Sequence, residues 1–269
     1  MNIGKIIEKI VAPALAEEGF QQVAGVGKNE WVFSRPQKGY YEGIKFRVNT
    51  LSLPQGSKYD IDVDFIANAP QAFPFPFHFY SVFGKQPFEM GAFPRYLGTE
   101  AEIEAFFDTV IQAIKETVIP LFPCFARPFL MPSDEMNLQL SKDTEEKAEA
   151  FRVQYALKWA DNVDEIKEMI ISLEKVIQGV QGKPLEEVSD FLIGATAYYG
   201  ELVRRVHGGE WMWSPKSKKV FLLEGVGDRN QVSGALGIIL DNWIWSELYG
   251  HSLRYNYHQL LRFLGLEKF

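Results

Sequence analysis

The hydrophobic pattern of the first 128 residues changes from helical to strand-like and back to helical. Apolar residues recur at helical spacing over residues 3–15 and again over 103–118, which predicts a helix at each end of this half. Between them, residues 42–51 and 58–68 alternate apolar and polar side chains, as antiparallel strands do when one face is buried and the other meets water. Residues 1–128 are therefore predicted to form an α+β domain, with a mostly antiparallel sheet packed by helices.

The second half of the chain is predominantly helical in its periodicity. Prolines at positions 120, 123, 128 and 132 interrupt the pattern and predict a linker over residues 129–140. Beyond it, residues 141–269 carry several helical stripes of apolar side chains, which predict a helix-rich domain. Two short strand-like segments, separated by a turn rich in serine and lysine, add a β-hairpin near residues 210–224.

Three aspartates, Asp60, Asp62 and Asp64, alternate with apolar residues on the second predicted strand. Side chains at these positions project from one face of a strand, and clustered carboxylates can hold the divalent metal of a hydrolase or transferase. A turn centred on Pro54-Gln55 instead places polar residues of the preceding strand opposite them: Lys45 opposite Asp64, Arg47 opposite Asp62 and Asn49 opposite Asp60. Such cross-strand pairs contribute about 0.2–1 kcal/mol each, so the sequence favours a paired, water-facing surface and keeps the metal site as the alternative.

Aromatic residues make up 14% of the chain, and two segments hold rings that no periodicity directs into a core. Residues 73–83, FPFPFHFYSVF, contain two prolines that exclude a helix or a central strand. Their rings are predicted either to pack over the end of the sheet or to line a groove for a ligand or partner. The predicted hairpin adds two tryptophans, and the candidate binding residues are Phe73, Phe75, Phe77, His78, Phe79, Tyr80, Trp211 and Trp213.

Composition and spacing exclude several chemistries. The chain has 28 basic and 35 acidic side chains, a formal net charge of −7, whereas a nucleic-acid binder needs a basic face to displace counterions from phosphates. Cys124 is the only cysteine, which excludes an intramolecular disulfide and a Cys-rich zinc site. Gly225 and Gly227 follow a strand-like segment, but Asn230 occupies the position of the third glycine of a dinucleotide fingerprint. No nucleic-acid partner and no cofactor are therefore predicted.

The first twenty residues do not have the character of a leader or an anchor. Lys5, Glu8 and Lys9 interrupt their apolar stretch, and no apolar run elsewhere approaches the roughly 20 residues that a membrane crossing needs. A cytoplasmic protein without a membrane partner is predicted.

Several short sequence segments of the first half resemble those of a known family. APALAEEGF, EWVFSRP, GIKFRVNTL and TVIPLF, in this order, resemble the bacterial domain-of-unknown-function family 4304 over about residues 1–128. The resemblance implies an α+β fold and a bacterial setting, but it supplies no activity and no catalytic residues. In the second half, Gly200-Glu201, Gly208-Gly209 and Trp211 are similar to helix–hairpin segments of other bacterial domains of unknown function.

Three functions remain open from the sequence. The favoured one is a non-catalytic cytosolic interaction protein, similar to the acidic immunity proteins that neutralise bacterial toxins, because acidic surfaces steer basic partners. The second is a small-molecule binder that uses the aromatic loop 73–83 or the boundary between the two halves. The third is a metal-dependent hydrolase or transferase that uses Asp60, Asp62 and Asp64.

Overall fold

Helices and antiparallel strands occupy separate stretches of the chain, which confirms the predicted α+β class. The chain divides into two units, Met1–Phe129 and Leu130–Phe269. No helix within the described residues is long and apolar enough to cross a membrane. The computed structural model describes residues 2–24, 27–53, 56–72, 76–78, 82, 97–216, 221–224, 231–233 and 235–266.

The sheet of the first unit runs through five strands in chain order, each antiparallel to the next. The predicted register of the long central hairpin is confirmed, because Arg47 lies opposite Asp62 and the neighbouring pairs follow in step. The strands are β1 (Gln21–Val23), β2 (Glu30–Gln37), β3 (Tyr40–Leu53), β4 (Gly56–Asn68) and β5 (Phe77–His78).

Two helical segments bury the apolar face of this sheet. The first consists of α1 (Ile3–Ile6), the π-helical turn Ile7–Val11 and α2 (Ala12–Glu17), and the second of α3 (Glu100–Ala113), the π-helical turn Ile114–Val118 and α4 (Ile119–Phe125). Phe46 of β3 meets Phe107 of α3 with ring centroids 5.9 Å apart, and Phe65 of β4 stacks on Phe125 of α4 at 6.3 Å. The alternation of β3 and β4 thus places one set of side chains in the core, as the pattern predicts.

The second unit is built around one long helix whose middle part is buried. Its helices are α5 (Asp134–Leu140), α6 (Thr144–Gln154), α7 (Val163–Gln178), α8 (Leu185–His207), α9 (Ala235–Trp245) and α10 (Leu253–Phe263). Every residue of α8 from Leu192 to Val203 is buried, because α5, α6, α7 and α9 all pack against it. The predicted hairpin near 210–224 is confirmed by the pairing of β6 (Glu210–Trp213) with β7 (Phe221–Glu224), and β8 (Gln231–Ser233) adds a third strand.

Residues 129–140 differ from the linker that the prolines predict. Helix α5 occupies the second half of this range, because Ser133 accepts a hydrogen bond from the Met136 N–H at 3.1 Å and so caps the helix. Met136 and Leu140 then bury their side chains in the second unit. The cap and these two apolar residues give the range a helix despite the nearby prolines.

Candidate functional site

Two of the three aspartates of β4, Asp62 and Asp64, accept hydrogen bonds diagonally across the strand pair. Arg47 donates through Nη2 to Oδ2 of Asp64 at 3.1 Å, although Asp62 is the residue directly opposite. Asn49 likewise donates to Oδ2 of Asp62 at 3.1 Å. Lys45 turns to the other neighbouring strand, where its Nζ lies 2.8 Å from Oε1 of Glu30 on β2. The register is therefore the predicted one, while the partners of Arg47 and Asn49 are displaced by two residues along β4 and Lys45 pairs with β2 instead.

Asp64 corrects the prediction of a water-facing surface. Only 2% of this residue is exposed, so the polar side of the sheet is covered at this position. The Arg47 guanidinium lies beside the buried carboxylate, as a buried charge requires. Among the described residues, no group of three or more His, Cys, Asp or Glu side chains lies close enough to hold a metal ion.

Phe77 of the aromatic loop belongs to the core of the first unit. Phe77 lies in β5 opposite Phe65 and is 3% exposed. Its ring stacks on Phe125 with centroids 4.8 Å apart and planes 19° from parallel. The backbone of His78 pairs with that of Asp64. Phe77 therefore packs over the sheet, the first of the two predicted alternatives, while Phe73, Phe75, Phe79 and Tyr80 lie outside the described residues.

Trp211 attaches the hairpin of the second unit to helix α8. Its indole Nε1 donates to Oε1 of Glu201 at 2.6 Å, and its ring lies so close to Gly200 that a Cβ there would be 2.1 Å from Cη2. Glu201 is buried and also accepts hydrogen bonds from Nε and Nη2 of Arg204 at 2.8 and 2.9 Å. These contacts give Trp211 a structural role, and Trp213 in the same strand is half-buried.

A polar pair joins α9 to the segment that follows it, through Asp241 and His251. Nδ1 of His251 is 3.9 Å from Oδ2 of Asp241, and the His251 ring packs on Trp245 at 5.1 Å between centroids. Burial raises the pKa of the Asp241 carboxyl to about 6 and lowers the pKa of the His251 imidazole to about 4. Near neutral pH the pair thus consists of an ionised carboxylate and a neutral imidazole.

The second unit also has a groove between α6 and α8, which we call the α6–α8 groove. Its volume is about 560 Å³, within the range of small-molecule sites. The rings of Phe151, Tyr155 and Phe191 form its floor, and Phe151 is 4% exposed. The groove is lined by Gln139, Lys142, Asp143, Lys147, Ala150, Phe151, Gln154, Tyr155, Asp190, Phe191, Ile193 and Gly194.

Acidic residues are concentrated on the helices around this groove. Residues 134–190, from α5 to the first turns of α8, contain 14 acidic and 7 basic side chains. Their net charge of −7 equals that of the whole chain, so the remaining residues, with 21 of each, are neutral overall. Thirteen of the 14 acidic residues are exposed, the exception being Glu174.

No protein-family model, curated protein or solved structure matches this chain. The resemblance of residues 1–128 to family 4304 stays a prediction, and the function is inferred from the geometry of the described residues.

Two features of the second unit escape the sequence patterns. Phe151, Tyr155 and Phe191 lie on helical stripes that are typical of core residues, and nothing in the periodicity shows that the rings line an open groove. The charge asymmetry of residues 134–190 is present in the sequence. When net charge is counted over each half of the chain, the asymmetry is averaged out. A running count of charge along the chain would have found it.

Proposed function

We propose that this chain is a non-catalytic interaction protein that binds a basic protein partner on the outer surfaces of α5, α6 and α7 and the first turns of α8. We call this the acidic surface. The observation that carries the proposal is the concentration of the whole net charge of the chain in residues 134–190. A surface of one sign raises the local concentration of an oppositely charged partner and speeds its association.

Part of this charge has a local role in the helices. Each of the four helices has two acidic residues in its first turn: Asp134 and Glu135, Glu145 and Glu146, Asp164 and Glu165, and Glu186 and Glu187. Negative charges at these positions complement the helix dipole, an effect that fades within about one turn. All eight side chains remain exposed, so they also contribute to the field that an approaching partner meets.

Exposed apolar side chains lie among these charges. Of the eight large hydrophobic residues that are exposed in the described part of the chain, three lie within residues 134–190 and a fourth, Met131, lies just before them; Met131 and Val153 are 67% and 62% exposed. Protein–protein interfaces combine charged and apolar side chains, and apolar side chains that become buried on binding hold a complex together after encounter. The four residues are Met131, Leu138, Val153 and Ile171.

The test is calorimetric titration of the full chain with a basic amphipathic peptide, Lys-Leu-Lys-Gly-Lys-Leu-Lys-Gly, at low and high salt. A variant with Glu146→Gln, Glu168→Gln and Glu187→Gln removes three exposed charges from the acidic surface. Exposed charge pairs contribute about 0.2–1 kcal/mol each, so we expect the Kd of this variant to rise about threefold or more at low salt. The difference from the unsubstituted chain should shrink at high salt, because ions screen exposed charges.

The matched control removes the same number of charges from the first unit. Glu8→Gln, Asp108→Asn and Glu116→Gln are all exposed positions there, and we expect this variant to bind the peptide as the unsubstituted chain does. An equal loss in both variants would mean that only the total charge matters, which would contradict the proposed surface.

A further inference from the structure

The floor of the α6–α8 groove is a continuous aromatic surface that is partly open to solvent. The ring of Phe151 is 4.5 Å from that of Tyr155 and 5.3 Å from that of Phe191, measured between centroids. Tyr155 and Phe191 meet edge to face at 5.4 Å and are both half-buried. At these distances the three rings pack on one another and leave no space between them, so a ligand lies upon them. A flat apolar body stacks on such a surface.

The rim of the groove carries charges of both signs on two different helices. Lys147 of α6 is half-buried, and its ammonium donates a hydrogen bond to the backbone carbonyl of Lys142. This bond holds the ammonium in place and leaves two of its three donors for another acceptor. Asp190 of α8 precedes Phe191, and its exposed carboxylate makes no ion pair or hydrogen bond within the part of the chain that the structure describes. The two remaining charged lining residues, Lys142 and Asp143, are exposed neighbours of opposite sign.

We infer that the α6–α8 groove binds a zwitterion with an aromatic body, the chemical class of the free aromatic amino acids. The ring of the ligand stacks on Tyr155 and Phe191, its ammonium pairs with Asp190 and its carboxylate pairs with Lys147. A ligand with a single charge would leave either Asp190 or Lys147 without a partner. The formal charges of the lining residues sum to zero, as those of a zwitterion do. Asp143 and Asp190 of the groove are also among the acidic residues of the acidic surface, but the groove is tested with small aromatic ligands and the acidic surface with a peptide, so either proposal can fail without the other.

Three probes with the same phenyl-ethyl body test the ligand class by calorimetric titration of the full chain. L-Phenylalanine carries both charges, phenethylamine only the ammonium and hydrocinnamate only the carboxylate. A hydrogen bond to a charged group contributes about 1.5–3 kcal/mol. We therefore expect L-phenylalanine to bind about tenfold or more tightly than either of the other two.

Two variants assign the charges to their partners. Asp190→Asn should weaken L-phenylalanine and phenethylamine and leave hydrocinnamate unchanged, and Lys147→Met should weaken L-phenylalanine and hydrocinnamate and leave phenethylamine unchanged. Asp161→Asn and Lys158→Met are matched controls, since both residues are exposed in the second unit and neither lines the groove. We expect the control variants to bind all three probes as the unsubstituted chain does.

The inference is overturned by any of three results: no heat of binding with L-phenylalanine, equal binding of a singly charged probe, or equal losses in the groove and control variants. Circular dichroism of each variant verifies that the fold is intact. Asp190 is exposed and Lys147 half-exposed, so their substitution leaves the core unchanged.

Discussion

The ring of Phe151 lies against the backbone of Gly194, on the helix across the groove. A Cβ at position 194 would lie 2.8 Å from Cδ2 of Phe151, closer than side-chain carbons approach one another. Glycine at this position therefore allows α6 and α8 to pack closely enough for Phe151 to form the floor of the groove.

Gly194→Ala should displace the Phe151 ring and destabilise the fold by about 1–3 kcal/mol, the usual cost of overpacking. Gly237→Ala is the matched control, because Gly237 is also helical and a Cβ there would meet nothing within 4 Å. The control should gain about 0.5–1 kcal/mol, since alanine favours a helix over glycine. Urea unfolding of both variants measures the difference, and a stable Gly194→Ala protein would show that the ring moves without cost.

The contact of Trp211 with Glu201 predicts a structural defect. Trp211→Phe retains a ring but removes the Nε1 donor, leaving the buried Glu201 carboxylate with its arginine partners. Loss of one hydrogen bond to a buried group should lower the free energy of unfolding by about 1–3 kcal/mol. Trp213→Phe serves as the control in the same strand, with a smaller loss expected. If Trp211→Phe is as stable as the unsubstituted chain yet loses binding of the basic peptide, Trp211 is a binding residue after all.

Asp64 and Asp62 should respond differently to the same substitution. Asp64→Asn removes the charge from a buried carboxylate beside Arg47, and we expect a loss of about 1–3 kcal/mol in the free energy of unfolding. Asp62 is half-buried and bonded to Asn49, so Asp62→Asn should cost less. Chemical denaturation distinguishes the two variants. Tight binding of magnesium or manganese that Asp62→Asn abolishes would instead favour the metal-dependent alternative.

The Asp241–His251 pair predicts two opposite pH effects on stability. The pKa of Asp241 is about 6 in the folded state against an ordinary 3.8, so its contribution to stability is lost as the pH rises from about 4 to 6. The pKa of His251 is about 4 against an ordinary 6.5, so its contribution is lost as the pH falls through the same region. The two trends oppose each other in the unsubstituted chain.

Single variants should separate these trends. Relative to the unsubstituted chain, Asp241→Asn should gain stability as the pH rises from about 4 to 6, because only the contribution of His251 remains. His251→Gln should show the reverse slope over this interval. Thermal unfolding at several pH values measures both differences, and parallel curves for the two variants would contradict the burial of the pair.

The central hairpin of the first unit, β3 and β4, could be predicted in detail because two local features determine it. Alternation in β3 and β4 decides which side chains face the core, and the position of the turn decides that Arg47 lies opposite Asp62. The diagonal bond from Arg47 to Asp64 could not be predicted, since it depends on the reach of a long side chain and on what covers Asp64.

Sequence periodicity does not determine how the elements of the second unit pack against one another. Periodicity identifies the apolar stripe of a helix, but it does not show how much of a stripe its neighbours cover. Phe191 lies on such a stripe, as core residues do, and is instead half-buried at the groove. Trp211, without a helical period of its own, is held by Gly200 and Glu201. Both outcomes follow from the packing of one secondary-structure element against another, which periodicity within a single element does not show.

Zero-length carbodiimide cross-linking of the full chain to the basic peptide tests the acidic surface most directly, because this reagent joins carboxylates to the amines they touch. We expect the cross-links to concentrate at exposed aspartates and glutamates of residues 134–190 and to fall as salt screens the charges. Cross-links spread evenly over the exposed carboxylates of both units, or concentrated in residues 1–129, would contradict the proposed interaction surface.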